Sequence, residues 1–188
     1  MKVYFIRHGQ SENNLKGLWT GWQDAKLTEK GIEDAKLAGE VIKGVKFDKV
    51  YSSDLSRARD TAKAAIQGCE PCEIMLLREV DVGNIAGKPF AALSDEERAL
   101  IPTYGYSRLG GETREEYRGR IEEFCRMIEP LDCENIAVFT HAGVLRTMLS
   151  IVTGVNIPNP KLACNNCAVA IFEYIDEKWR VYSWINVT

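Results

Sequence analysis

The sequence predicts an α/β fold of three layers: a mostly parallel central sheet flanked by helices, with an antiparallel edge strand. Two observations point there. Short apolar runs alternate along the chain with segments of helical periodicity, the pattern left by strands joined through crossover helices. The last two apolar runs, 168–174 and 179–185, are separated only by the polar turn Ile175-Asp176-Glu177-Lys178, which makes them an antiparallel hairpin. With 188 residues, 45% of them hydrophobic, the chain can bury one core of ordinary size, so a single domain is expected over 1–188, with a lid-like insertion around 81–112.

The elements follow in order. Residues 3–6 form a nearly continuous apolar run, as suits a strand covered on both faces. Thr28 is a credible N-cap, and Ile32, Ala35, Ala38 and Ile42 recur at helical spacing before Gly44. A second strand is expected over 47–51, then a capped helix start within 52–62 and an Ala-rich helix to about Gln67. A third strand is expected over 73–77, ending at Arg78-Glu79. Ser94-Asp95-Glu96-Glu97 opens a short helix that Pro102 follows. Gly110-Gly111-Glu112-Thr113 leads into a long helix over 114–128, with Tyr117, Ile121, Phe124 and Ile128 on one side and Pro130 as the stop. A strand over 135–139 ends in Thr140-His141-Ala142-Gly143, and an apolar helix over 144–152 is closed by Gly154 and Pro158.

Net charge is -3 with no basic stripe, so nucleic acid and anionic membrane are not expected partners. No basic region followed by an apolar run opens the chain, and no apolar run is long enough to span a bilayer, so a cytoplasmic location is expected. The six cysteines include two C-x-x-C pairs, Cys69/Cys72 and Cys164/Cys167. The pairs lie far apart, one brackets Glu70-Pro71 in a loop, and Cys167 opens an apolar strand. Free thiols are therefore expected rather than zinc.

Chemistry concentrates where strands give way to helices: Arg7-His8, Ser53 to Arg57, and His141, with Glu79 after another strand. In a parallel sheet these junctions share one edge, and two helix N-termini face it. Arg7, Arg57, two imidazoles and one carboxylate would then meet in a crevice. His8, His141 and Glu79 could hold a metal, but two guanidiniums and two helix N-termini would repel a dication. A tetrahedral dianion fits better, which points to phosphate. Neutral His8 can attack phosphorus, while Arg7, Arg57 and, if protonated, His141 can neutralise the equatorial oxygens. Glu79 is the candidate proton donor, with Asp81 and Asp54 behind it. Gly9 is expected to let an oxyanion come close.

Arg7-His8-Gly9-Gln10-Ser11 with Asn14, Ser53-Asp54-Leu55-Ser56-Arg57-Ala58 with Thr61, Glu79, Gly110-Gly111-Glu112-Thr113, and His141-Ala142-Gly143-Val144-Leu145-Arg146 together resemble the histidine phosphatase superfamily, the phosphoglycerate-mutase-like family. The resemblance implies phosphorylation of His8, a phosphoryl pocket of Arg7, Arg57 and His141, proton donation by Glu79, and neither metal nor cofactor. Asn14 matches a phosphate-pocket position; Gln10, Ser11, Thr20, Gly21 and Ala142 are further candidates for substrate binding. The segment Gly83-Asn84-Ile85-Ala86-Gly87 departs from many phosphatases of the family, which carry an aromatic there.

In form the chain is similar to the short phosphatases, such as α-ribazole phosphatases. Cofactor-dependent mutases are longer, with segments that close over the site. A phosphomonoester hydrolase acting on a small phosphorylated metabolite is therefore expected. The alternatives are a cofactor-dependent phosphoglycerate mutase and, in a different class, a non-enzymatic binder of phosphorylated ligands. The binder would be marked by loss of a histidine or arginine, and none is lost. A homodimer is carried as the candidate assembly. Trp19, Trp22 and the lid stretch 102–108 are expected to set the substrate.

Overall fold

A computed structural model describes residues 1–155 and 162–187. A six-stranded sheet runs β3-β2-β4-β1-β5-β6. Its strands are β1 (Lys2–Arg7), β2 (Lys49–Ser52), β3 (Cys72–Glu73), β4 (Asn135–Thr140), β5 (Val169–Ile175) and β6 (Lys178–Ile185). The first four pair in parallel; β5 runs antiparallel to β1, and β6 antiparallel to β5. The architecture is thus mixed α/β, mostly parallel with an antiparallel edge and helices on both faces. The β5–β6 turn is tight, with non-glycine Asp176 and Glu177 at φ 51° and 58°, the left-handed pair that a two-residue hairpin requires.

The two faces follow from strand periodicity. Val3 and Phe5 of β1, with Ile136 and Val138 of β4, pack on α5 (Arg114–Ile128) and α6 (Ala142–Thr153) through Phe124, Val144, Leu145 and Met148. Ile6, Ala137 and Phe139 face the other way, onto α2 (Glu29–Val41) and α3 (Ser56–Ala65), where Ala35, Ala38 and Ala62 allow close approach. Each fully buried Phe or Ile is worth roughly 1.5–3 kcal/mol of transfer free energy, so this double layer holds the strand ends in place.

Four features differ from the sequence reading. A one-turn helix, α1 (Glu12–Leu15), follows β1; Ser11 caps it in a reciprocal box with Asn14. Four residues are too few to show a period. The strand expected over 73–77 stops after two residues, because it pairs only Tyr51↔Cys72 and Ser52↔Glu73 before β2 ends. The chain then turns as a 3-10 helix over Met75–Leu77, with Leu77 fully buried, and this bend delivers Glu79 to the sheet edge. Pro102 lies inside α4 (Asp95–Tyr104) rather than after it. Cys167 sits at φ 62° before β5 begins. Gly154, at φ 69°, closes α6 as expected, while Pro158 lies outside the described residues.

Gly9 serves packing. A Cβ there would stand 2.2 Å from the carbonyl oxygen of Gly31, and one on Gly31 would stand 2.1 Å from that of Gln10. Two bare glycines therefore let the first turn of α2 lie against the loop that follows β1.

Candidate active site

The register Arg7↔Thr140 brings the ends of β1 and β4 level. The His8 amide donates to the Thr140 carbonyl at 2.8 Å, and the imidazoles of His8 and His141 stand 5.1 Å apart by ring centroids. His8 Nδ1 lies 2.7 Å from the Gly9 carbonyl. A carbonyl can only accept, so Nδ1 carries the proton, and Nε2 keeps its lone pair. Burial, and then the charges of Arg57 and Arg7, push the His8 pKa well below its ordinary value, so the ring is neutral at pH 7. A neutral imidazole with a free Nε2 is the nucleophilic form.

Arg57 is 1% exposed. Its Nη1 and Nη2 donate to the carbonyls of Gln23 and Gly21 at 2.9 and 2.8 Å, and its Nε has no partner. Burial lowers its pKa to about 10, which still leaves it cationic at pH 7. Arg7 donates through Nη1 to the Cys164 carbonyl, and its Nε is likewise buried without a partner. Among the described residues neither guanidinium is paired with a carboxylate, an expensive state unless an anion is bound there. Thr61 ties this side together, donating to the Arg57 carbonyl at 2.6 Å and accepting from the Gly9 amide at 2.9 Å.

His141 is fully buried; its Nε2 lies 3.0 Å from Ser53 Oγ, and its Nδ1 has no partner. Burial first, then Arg57 and His8, hold its pKa well below the ordinary value. The protonated form considered from sequence is therefore not the resting form.

Because both imidazoles are depressed in the fold, the unfolded chain takes up protons more readily below about pH 6.5. The stability they contribute is present above that pH and is lost as pH falls toward the folded values. Urea midpoints should therefore drop between pH 7 and pH 5, and the drop should be smaller in a His8→Asn/His141→Asn double variant. Identical pH slopes for the two proteins would contradict the assignment.

Glu79 is gripped from several sides. Its Oε1 accepts from Tyr117 Oη at 2.8 Å and the Val80 amide at 3.0 Å, and its Oε2 accepts from the Gly143 amide at 3.2 Å. Burial and the Glu79 charge raise the Tyr117 pKa well above 10, so Tyr117 stays a donor. Gly143 must lack a side chain, since a Cβ would stand 2.1 Å from Glu79 Oε1. Arg120 donates to the carbonyls of Leu76, Arg78 and Glu79 and to the Glu112 carboxylate, and Trp22 Nε1 donates to the Glu79 carbonyl at 2.8 Å. Glu112 also accepts from the Asp81 amide, so the Gly110-Gly111-Glu112-Thr113 motif braces the Glu79 segment.

The helix N-termini do other work than expected. The Gly143 amide of α6 holds Glu79, and the Ser56 amide of α3 donates to Asp24 Oδ1 at 2.9 Å. Asp24 thus supplies the cap that Leu55 cannot.

A cavity of about 880 Å³ opens over these groups. Arg7, His8, Asn14, Thr20, Gly21, Arg57 and Glu79 line it; Gln10, Ser11, Ala142 and His141 do not. His141 is fully buried, its ring centroid 5.1 Å from that of His8. Ser11 is the α1 cap, and Gln10 Oε1 accepts from Thr28 at 2.9 Å. Asn14 Oδ1 is taken by the Ser11 amide and Asn166, leaving its amide nitrogen for a ligand. Asp54 is paired with Arg78, and Asp81 Oδ1 accepts from the Gly83 amide; neither lines the cavity. The outer wall is apolar: Trp19 packs edge-on against Phe90 and Tyr106 at 5.1 and 5.9 Å, near Ile101 and Pro102. These aromatics stand where 83–87 has none. Trp22 instead lies over the Arg78 guanidinium.

Glu79 and Arg57, both named from the sequence by position and identity, line the cavity. Ser53, Asp24, Tyr117 and Arg120 carried no local signal for their partners, which lie on other elements.

The chain belongs to the histidine phosphatase superfamily (branch 1), whose family model matches residues 3–187. It is 36% identical over 167 residues to a 2,3-bisphosphoglycerate-dependent phosphoglycerate mutase of Brucella ovis, covering 81% of each chain. It is 29% identical over 164 residues to the adenosylcobalamin/α-ribazole phosphatase of Salmonella typhimurium, covering 80% of this chain and 78% of that one. In fold it is similar to the phosphoglycerate mutase of Bacillus anthracis, with a TM-score of 0.83 at 23% identity over 97% and 92% of the two chains. Superfamily members of both kinds, phosphatase and mutase, are therefore relatives. No helix among the described residues is long and apolar enough to cross a membrane.

Proposed function

We propose that the protein hydrolyses small phosphorylated metabolites through a phosphohistidine on His8. The observation that carries this reading is the state of that ring: neutral, its Nδ1 proton committed to Gly9, its Nε2 free, beside two guanidiniums without carboxylate partners. His8 Nε2 attacks phosphorus while the bond to the ester oxygen breaks, and Glu79 passes to the departing alkoxide the proton that the monoester monoanion brings into the site. Arg7 and Arg57 carry the charge on the phosphoryl oxygens. Water then attacks the phosphohistidine, Glu79 takes its proton, and inorganic phosphate leaves with His8 restored.

His141 needs no charge for its part. We assign the Ser53 hydroxyl proton, on an oxygen that already accepts from the Leu55 amide, to the hydrogen bond with His141 Nε2; this tautomer puts the ring proton on Nδ1, where it can be donated to a phosphoryl oxygen.

Hydrolysis is favoured over mutase chemistry by the cavity. At about 880 Å³ and open to solvent, it leaves room for water beside a three-carbon acid. Water beside a phosphohistidine ends in hydrolysis. The mutase is the second reading, supported by the 36% identity to a mutase. A panel of phosphorylated metabolites decides between them. We expect inorganic phosphate from one or more monoesters, unchanged by a strong chelator; transfer to monophosphoglycerate without phosphate release would overturn hydrolysis. Six cysteines without a disulfide suit a reducing compartment, so we place the enzyme in the cytoplasm.

A further inference from the structure

One cavity-facing charge is left over once the phosphoryl group has its ligands. Gly143, Arg146, Thr147 and Ser150 all line the cavity, at the spacing i, i+3, i+4 and i+7 that marks one face of α6. The opposite face, Val144, Leu145, Met148 and Leu149, is buried in the core. So α6 presents a polar stripe that starts at the Glu79 carboxylate and runs outward along the cavity wall.

Arg146 is the cation of that stripe. Among the described residues its buried Nε has no partner, and its one side-chain hydrogen bond is long, Nη2 to the Leu162 carbonyl at 3.4 Å. Among the described residues no carboxylate pairs with it. The carboxylates that line the cavity are engaged elsewhere or stand at the rim: Glu79 with Tyr117 and two amides, Glu112 with Arg120, and Glu115 at the start of α5. The rim guanidiniums are engaged too, Arg118 with Glu122 and Arg114 with the Pro102 carbonyl. Arg146 also lies near enough to Arg7 for the two charges to oppose each other. A planar guanidinium left in this state matches a carboxylate bidentately, and Thr147 and Ser150 add hydroxyl donors beside it.

We propose that Arg146, Thr147 and Ser150 form a second anion subsite, so that the preferred substrates are phosphomonoesters bearing a carboxylate. Arg146 lies five residues beyond His141, about 7.5 Å along the helix axis, which places it one and a half turns from the phosphoryl end of α6. The inference rests on the proposed function only in taking Arg7 and Arg57 as the phosphoryl ligands. The subsite concerns recognition; it does not choose between water and a second substrate as acceptor.

The test compares phenyl phosphate with 3-carboxyphenyl phosphate as substrates, and the two corresponding phosphonates as non-reacting ligands, on wild type, Arg146→Gln and Arg146→Lys. Wild type should prefer the carboxylated member of each pair. Arg146→Gln should lower kcat/KM and affinity for that member about 10–100-fold, the size of one charge-assisted hydrogen bond, and leave the plain member unchanged. Arg146→Lys should keep part of the preference, which a purely structural tie to Leu162 would not produce. An equal loss on both members, or an undiminished preference in Arg146→Gln, would overturn the subsite. Absence of turnover with the phosphonate preference intact would overturn the hydrolase reading and leave the subsite standing.

Discussion

His8→Asn is expected to lower turnover by about 10⁴–10⁶-fold, the range seen when an enzyme loses its nucleophile but keeps its charge-stabilising groups. Asparagine is close in size and can still hydrogen-bond, so the strand end should hold. It has no lone pair able to attack phosphorus. Arg7 and Arg57 would stay poised for the anion, so binding of inorganic phosphate should survive far better than turnover. The measurement is single-turnover phosphate release alongside phosphate affinity. Turnover within tenfold of wild type would mean that another group attacks.

Glu79→Gln should slow phosphoenzyme formation from alkyl phosphates by about 10²–10⁴-fold, the usual worth of a positioned general acid. Nitrophenyl phosphate should be affected much less, because a nitrophenolate leaves without needing the proton. The amide keeps the size of the carboxyl group between Tyr117 and the start of α6 but cannot supply an acidic proton. Asp81→Asn should show no such selectivity, since that side chain holds the Gly83 amide and lies outside the cavity lining. Burst rates for both substrates on both variants provide the measurement. Equal slowing of the two bursts in Glu79→Gln, or selective loss in Asp81→Asn, would move the proton donor elsewhere.

The sequence made these residues legible because strand ends are easy to see. Apolar runs that stop abruptly at Arg7-His8 and Thr140-His141 mark positions a sheet can fix, and Val3, Phe5, Ile136 and Val138 show the alternation that a two-faced sheet requires. The pairing of those ends is another matter. It comes from the β1–β4 register, a contact between distant parts of the chain that no local pattern encodes. The same holds for Asp24 capping α3, and for Arg120 gripping three carbonyls around Glu79. The third strand was overread for a physical reason. Ile74, Leu76 and Leu77 are apolar because they pack against the core, not because they pair in the sheet, and periodicity alone does not separate those causes. Gly9 was legible as a position needing no Cβ, but its neighbour, Gly31, was not. Whether His141 is charged depends on its burial, which the sequence does not show. Zero exposure beside Arg57 favours the neutral ring, and Ser53 supplies a way for that ring to act without a charge.

Rapid-quench labelling of the wild-type enzyme, with the label mapped to a residue and followed in time, tests the central claim most directly. A phosphohistidine that is acid-labile and base-stable should appear on His8 within one turnover. It should then decay to inorganic phosphate at a rate that accounts for kcat. A label on any residue other than His8, or a His8 label that passes only to a second organic acceptor and never to water, would contradict it.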